Sequence, residues 1–181
     1  MDAGNNEGSP LSLESIDLSL IENPELVDFL RSWLTQRNLN REIYLLLSER
    51  FFNYQPAEIS PSVKDSLIYQ IKVHDNYLKC VKEGNLIHGK HYGDFKEFEL
   101  ERLSSQELLE KWDEIDKNII DYLSISNSSN QVNVPWSETP VSSIDAFSGL
   151  INHEIYHLGR NSVILEALKI PRPESLKKVW G

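Results

Sequence analysis

The sequence has 181 residues but only one cysteine, Cys80, which excludes a disulfide within the chain. It also lacks any apolar run close to the roughly 20 residues that a helix needs to cross a bilayer. The first residues, MDAGNNEGSPLSLESIDLS, have no basic start and no apolar stretch, unlike a signal peptide. We therefore expect no membrane partner and a cytoplasmic location.

Positive charge is scarce as well. Lysine and arginine total 18 against 28 aspartates and glutamates, for a net charge of −10, and no basic cluster offsets this locally. Such a surface repels the phosphate backbone of nucleic acids. The composition therefore argues against a nucleic-acid partner.

Clear strand patterns are missing, and Val132 to Val134 is the best candidate for a strand. Four segments instead repeat apolar residues at helical spacing, over residues 23–50, 62–83, 104–123 and 142–170. Long connections separate the second helix from the third and the third from the fourth. This pattern predicts an all-α four-helix bundle. We expect residues 1–17 to be flexible and residues 18–181 to form a single domain.

Local signals mark where these helices begin and end. Ser104 and Glu107 form a capping box at the start of the third helix, and Gly84 is a good C-terminal cap for the second. The fourth helix begins near Ser142 or Ser143 and ends before Pro171, because proline cannot continue a helix.

The fourth helix contains HEIYH, residues 153–157, which matches the H-E-x-x-H pattern of zinc proteases. The same spacing is compatible with a different metal site or with two core histidines. The extended protease motif would require glycine and histidine where the chain has Arg160 and Val163. A protease also needs an edge strand to bind a peptide, so the context argues against a zincin protease.

Three histidines lie on core-facing stripes of their helices: His74, His153 and His157. Residues four apart on a helix share a face, so His153 and His157 can converge on one ion. Each buried imidazole needs partners for its nitrogens, and a shared metal would satisfy all three rings. The residues therefore predict a divalent-metal site, whereas we expect His88 and His91 to be exposed in a glycine-rich connection.

Other residues near this motif have open roles. Glu154 is about 100° around the helix from His153. It is a candidate catalytic base acting through water, an acceptor for an imidazole N–H, or a partner for an arginine. Trp136, Tyr156 and Arg160 are candidates for the pocket wall. For Cys80 we expect a packing role, because it lies about 240° around the helix from His74.

The segments SLIYQIKVHDNYLKCVKEG and INHEIYHLGRNSVILEALKIPRP resemble those of the DinB superfamily of metal-binding four-helix bundles. In that family one histidine lies on the second helix, matched by His74, and an H-x-x-x-H pair lies on the fourth, matched by His153 and His157. The resemblance extends from about Asn23 to Pro173. It implies an up-down-down-up bundle, zinc or nickel on the three histidines, and frequent homodimers.

The characterised members of the family that the chain resembles are thiol-dependent enzymes, including S-transferases that use low-molecular-weight thiols. The resemblance therefore implies a metal-dependent transferase that activates a small thiol. Two alternatives remain, a metal-stabilised binding or structural protein without turnover, and a metal-dependent hydrolase. Open coordination positions beside a solvent-reachable pocket would favour an enzyme, whereas a fourth protein ligand from His88 or His91 would favour a structural role.

Overall fold

The computed structural model describes residue 16 and residues 21–47, 50–96, 99–124 and 128–180. The predicted flexible segment, residues 1–17, falls outside the described residues apart from Ile16. The described residues are mostly helical, as the sequence predicts. Five α-helices are present among them: α1 (Pro24–Leu47), α2 (Val63–Lys82), α3 (Ser105–Tyr122), α4 (Ser143–Ala167) and α5 (Glu174–Trp180).

The helix starts follow the capping signals in the sequence. Ser62 and Asp65 form a reciprocal capping box at the start of α2, and Ser104 and Glu107 form another at the start of α3. The hydroxyl of Ser142 accepts a hydrogen bond from the backbone N–H three residues later, which begins α4. These contacts satisfy backbone donors that have no partner within a helix, and thereby fix where each helix begins.

The helix ends differ in part from the sequence prediction. The first helix covers Pro24–Leu47 in the described residues, and Arg50, near which its end was predicted, lies in a turn. The short helix α5 was not predicted, because Pro171 and Pro173 mark a break and only seven residues of helix follow it. Leu176 of α5 is buried, so this helix is held by packing against the core.

The connection between α3 and α4 contains two short strands, β1 (Gln131–Val132) and β2 (Val141–Ser142). They pair antiparallel, and Asn133 bridges to Asn85 in the connection after α2. Of the predicted strand at 132–134, Val132 therefore lies in β1 and Asn133 forms the isolated bridge. The pairing partner of a strand this short depends on distant residues, which a local pattern does not reveal.

The core lies between the four long helices. Helix α1 packs mainly on α4 and α2 mainly on α3, while α2 also contacts α4 and α1. Most of the predicted apolar stripes are buried, although Leu46 is 47% exposed. The up-down-down-up order of the helices stays a prediction. In the part of the chain that the structure describes, no helix combines the length and apolar character needed to cross a membrane.

Candidate metal centre

The candidate site is built around His74, which is fully buried on α2. Its Nδ1 atom lies 2.5 Å from Oδ1 of Asp116 on α3. On the other side of the ring, Nε2 lies 2.8 Å from Oε1 of Glu154 on α4, but these two atoms do not have the geometry of a hydrogen bond. His74 therefore sits between two carboxylates, with only its Nδ1 side hydrogen-bonded.

Asp116 is itself held by arginine. Its second oxygen, Oδ2, accepts a hydrogen bond of 2.6 Å from Nε of Arg37, a fully buried side chain of α1. Arg37 also pairs with Asp113 and lies over the ring of Trp112, 4.4 Å from its centroid. A buried charge of either sign is strongly destabilising unless it is paired, and here Arg37 and Asp116 pair with each other. Through this pair, α1 and α3 fix the orientation of the His74 ring on its Nδ1 side.

Glu154 is fixed by a second polar group from α1. Nδ2 of Asn40 donates to Oε2 of Glu154 at 2.6 Å and to its backbone oxygen at 2.8 Å. Asn40 in turn accepts a hydrogen bond of 3.2 Å from Nδ2 of Asn161. In these contacts Oε2 is held by an amide, whereas Oε1 faces His74 without a hydrogen-bonding partner among the described residues. The three roles considered for Glu154 stay predictions.

His153 and His157 occupy the adjoining face of α4. Their ring centroids are 4.5 Å apart, and the His153 ring centroid is 6.2 Å from that of His74. In the described part of the chain, neither nitrogen of either ring has a hydrogen-bonding partner, although all four atoms are buried. Buried polar atoms are normally paired, so four unpaired ring nitrogens side by side require an explanation.

The electrostatic environment keeps these two imidazoles neutral. Burial, followed by the neighbouring histidines, lowers the pKa of His153 to about 2. Burial and then the charge of Arg160 lower the pKa of His157 to about 3. A neutral imidazole has a free lone pair, which is the form that binds a metal.

His74 behaves in the opposite way. Burial disfavours its charged form, but the carboxylates of Asp116 and Glu154 outweigh burial and raise the pKa of His74 to about 9. A cation is therefore favoured between these carboxylates. The metal-free chain can supply it as a proton on His74, and a bound metal ion would supply it at Nε2 instead.

The donor atoms lie close enough to share one ion. One atom from each of His74, His153 and Glu154 falls within a group whose members are all within 4.8 Å of one another. The nitrogen and carboxylate donors suit a divalent transition metal. His157 contacts His153 but is not part of this compact group. The structure thus brings His74, His153 and Glu154 together.

A cavity of about 690 Å³ opens beside these residues. Its wall includes His153, His157, Tyr156 and Arg160, together with residues 59–61, 65, 66 and 69 from the start of α2 and the loop before it. Tyr156 is 67% exposed, so the cavity reaches the surface. Trp136, the third pocket candidate, is exposed in the connection before α4 and does not line this cavity.

Of the remaining candidates, Cys80 lies near the C-terminal end of α2, and His88 and His91 lie in the connection after it. Cys80 is buried, and its thiol is part of a second donor group with Glu83 and His91. His88 is exposed as expected. His91 is not, because its side chain is only 14% exposed and contacts both Glu83 and Asp94. The expectation of an exposed His91 was therefore wrong, since the ring folds back onto the carboxylates around it.

Sequence reasoning missed the polar residues behind the site: Arg37, Asn40, Asp113 and Asp116. A signal for Asp116 was present, because it follows Trp112 by four residues and precedes Ile120 by four, on the apolar stripe of α3. Its side chain is fully buried. A lone acid on a core-facing stripe requires buried polar partners. The partners of Asp116 are His74 and Arg37.

Two solved structures are similar to the chain as a whole. A DinB-like protein (YjoA) from Bacillus subtilis matches it with a TM-score of 0.62 and 21% sequence identity, covering 84% of this chain and 98% of that one. A DinB-like protein from Bacillus cereus matches it with a TM-score of 0.60 and 13% identity, covering 80% and 93%. The chain therefore has the DinB-like fold. No protein-family model matches the chain, and no curated protein matches it significantly.

Replacing Asp116 tests whether the buried network stabilises the fold. We expect Asp116→Ala to lower the free energy of unfolding by about 3–5 kcal/mol, because it leaves Arg37 short of a partner in a buried position. The matched control is Glu114→Ala on the same helix, where the exposed pair with Lys111 should contribute less than about 1 kcal/mol. Urea unfolding of the metal-free protein measures both, and equal losses would contradict the role given to Asp116.

The histidine pKa values predict how the stability of the metal-free protein depends on pH. Below the ordinary pKa of 6.5, unfolded chains bind protons that folded His153 and His157 do not, so stability falls as the pH drops toward 3. The protonated form of His74 contributes stability that is present below 6.5 and is lost as the pH rises through about 9. Urea unfolding from pH 4 to 9 should show a maximum near neutrality. A His153→Gln variant should flatten the acidic side, and an unchanged profile would refute this assignment.

Proposed function

We propose that the chain is a divalent-metal protein in which His74, His153 and His157 bind zinc or nickel. The observation that carries this proposal is the set of buried ring nitrogens without hydrogen-bonding partners, in the described residues around the cavity. In the tautomer that carries its proton on Nδ1, His74 would donate to Asp116 and leave Nε2 for the metal; Nε1 of Trp112 also lies 3.1 Å from Nδ1. His153 and His157, kept neutral by burial, supply the other nitrogens.

We further propose an enzyme of the thiol S-transferase type. The cavity is within the size range of small-molecule sites, and two of the proposed ligands lie in its wall. A bound divalent metal lowers the pKa of a coordinated thiol and so favours the thiolate. The thiol comes from a small cosubstrate, because Cys80 is the only cysteine and belongs to a separate group of residues.

Glu154 is proposed as the acceptor of the thiol proton. Its Oε2 is fixed by Asn40, whereas Oε1 faces Nε2 of His74 and has no hydrogen-bonding partner among the described residues. The sulfur then attacks an electrophilic carbon, an S–C bond forms, and the leaving group departs with the electrons of the broken bond. Arg160 and Tyr156 line the space in which this substrate would bind.

A metal-stabilised protein without turnover is the rival from another class. This rival is favoured by the burial of His74 and Glu154, whose close contact joins α2 to α4. Neither His88 nor His91 belongs to the donor group around His74 in the described chain. The cavity beside His153 and His157 favours the enzyme, because it gives a substrate access to these two residues. The ion would contribute to stability in either case.

Variants separate metal binding from catalysis. We expect alanine at His74, His153 or His157 to abolish stoichiometric metal in elemental analysis. Glu154→Gln should retain the metal but lower the conjugation of a small thiol to a chlorodinitrobenzene by at least about 100-fold, because it removes the proton acceptor. The control is Glu166→Gln, an exposed position on the same helix that pairs with Arg172.

The outcomes distinguish the alternatives. Wild-type protein that is metal-free, and whose melting temperature does not change with zinc or nickel, would refute the metal site. Metal binding without conjugation of any small thiol would identify the metal-stabilised rival. Loss of metal in Glu154→Gln would show that Glu154 is a ligand and not the proton acceptor.

A further inference from the structure

The inference concerns Arg160, which follows His157 by three residues on α4 and so lies about one turn further along the same face. Arg160 lines the cavity together with His153 and His157. Its charge also contributes to the lowered pKa of His157. Arg160 is therefore close enough to the proposed metal ligands to act on whatever binds between them.

The partners of Arg160 are neutral. It donates to the hydroxyl of Ser66 and, at 2.6 Å, to the backbone oxygen of Pro61. Other arginines have acidic partners: Arg37 and Arg41 pair with Asp113, and Arg172 pairs with Glu166. Within the described residues, no carboxylate lies in ion-pair range of Arg160. Two neutral acceptors orient this guanidinium, and its charge is left unneutralised.

The acid in the cavity wall does not form an ion pair with Arg160. Asp65 lines the same cavity, but its carboxylate accepts hydrogen bonds from the backbone N–H and the hydroxyl of Ser62 in the capping box of α2. A metal dication and an unneutralised guanidinium in one cavity repel each other. A ligand with two negative groups, one toward each cation, removes that repulsion.

We propose that Arg160 binds a carboxylate of the small thiol, so that the cosubstrate is a thiol acid. This inference rests on the proposed function, because it assumes that the sulfur faces His153 and His157. Arginine suits the role, since its planar fork can donate two parallel hydrogen bonds to a carboxylate. Arg160 is then a residue that determines substrate specificity, and it takes no part in the proton transfer assigned to Glu154.

Cobalt-loaded protein provides a direct test, because a thiolate bound to cobalt gives a charge-transfer absorption band. The experiment uses the full chain with Cys80→Ala, since Cys80, Glu83 and His91 form another donor group that could give the same band. The probes are 3-mercaptopropionate and its neutral amide, 3-mercaptopropionamide. We expect the acid to bind at least about ten-fold more tightly than the amide, the size of a charge-assisted hydrogen bond.

Variants assign that preference. Arg160→Gln should bind both probes with the affinity of the amide, and Arg160→Lys should retain part of the preference because it keeps the charge. The control is Arg31→Gln, an exposed position on α1 that should behave as the parent protein. A melting curve for each variant shows whether the loss of the contacts with Ser66 and Pro61 affects folding.

Failure of this inference is distinguishable from failure of the proposed function. Equal affinity of the two thiols for the parent protein would overturn the role of Arg160 and leave thiol binding intact. If neither thiol produces the band, the thiol proposal fails. In that case, the change in the visible cobalt spectrum is measured with propionate and with propionamide to test the carboxylate site alone. Equal spectral changes with the two compounds would overturn the carboxylate site as well.

Discussion

The position of His74 between two buried carboxylates is the constraint on which the rest of the site depends. Asp116 and Glu154 lie on opposite sides of the ring, so a positive charge is favoured between them. The polar chain continues from Asp116 to Arg37 and from Glu154 to Asn40. Because these residues come from all four long helices, the same contacts that orient the imidazole also hold the helices together.

The two sides of this polar network differ in their hydrogen bonding. On the Asp116 side, Nδ1 of His74 is in hydrogen-bonding contact with Asp116 and with Nε1 of Trp112, so the ring is fixed and Nε2 points toward α4. On the Glu154 side the partners are incomplete, since Oε1 and the ring nitrogens of His153 and His157 have no hydrogen bonds within the described chain. An incomplete set of buried donors next to a cavity is a typical arrangement for a ligand site. Hydrogen bonds therefore fix one side of His74, whereas Oε1 of Glu154 and the ring nitrogens on the other side have no hydrogen-bonding partner among the described residues.

The sequence predicted the helices and the position of His74 because caps and apolar spacing are local signals. It misjudged the centre of α4. Glu154 was expected to point away from the ligand face, yet it is fully buried, and His153 lies nearer the edge. A helix with a wide apolar face does not reveal which residue lies at its centre, because that depends on partners such as Asn40 on another helix. Asp116 and Arg37 were missed for the same reason, since their pairing joins distant segments.

Anomalous diffraction from crystals of the metal-loaded protein, measured at the absorption edge of the metal, tests the central claim most directly. We expect one peak at bonding distance, about 2.1 Å, from Nε2 of His74 and from a ring nitrogen of His153 and of His157. His74 should keep its contact with Asp116 through Nδ1. A peak only at the group of Cys80, Glu83 and His91, or no peak with Nε2 of His74 still against Glu154, would contradict a metal centre at this position.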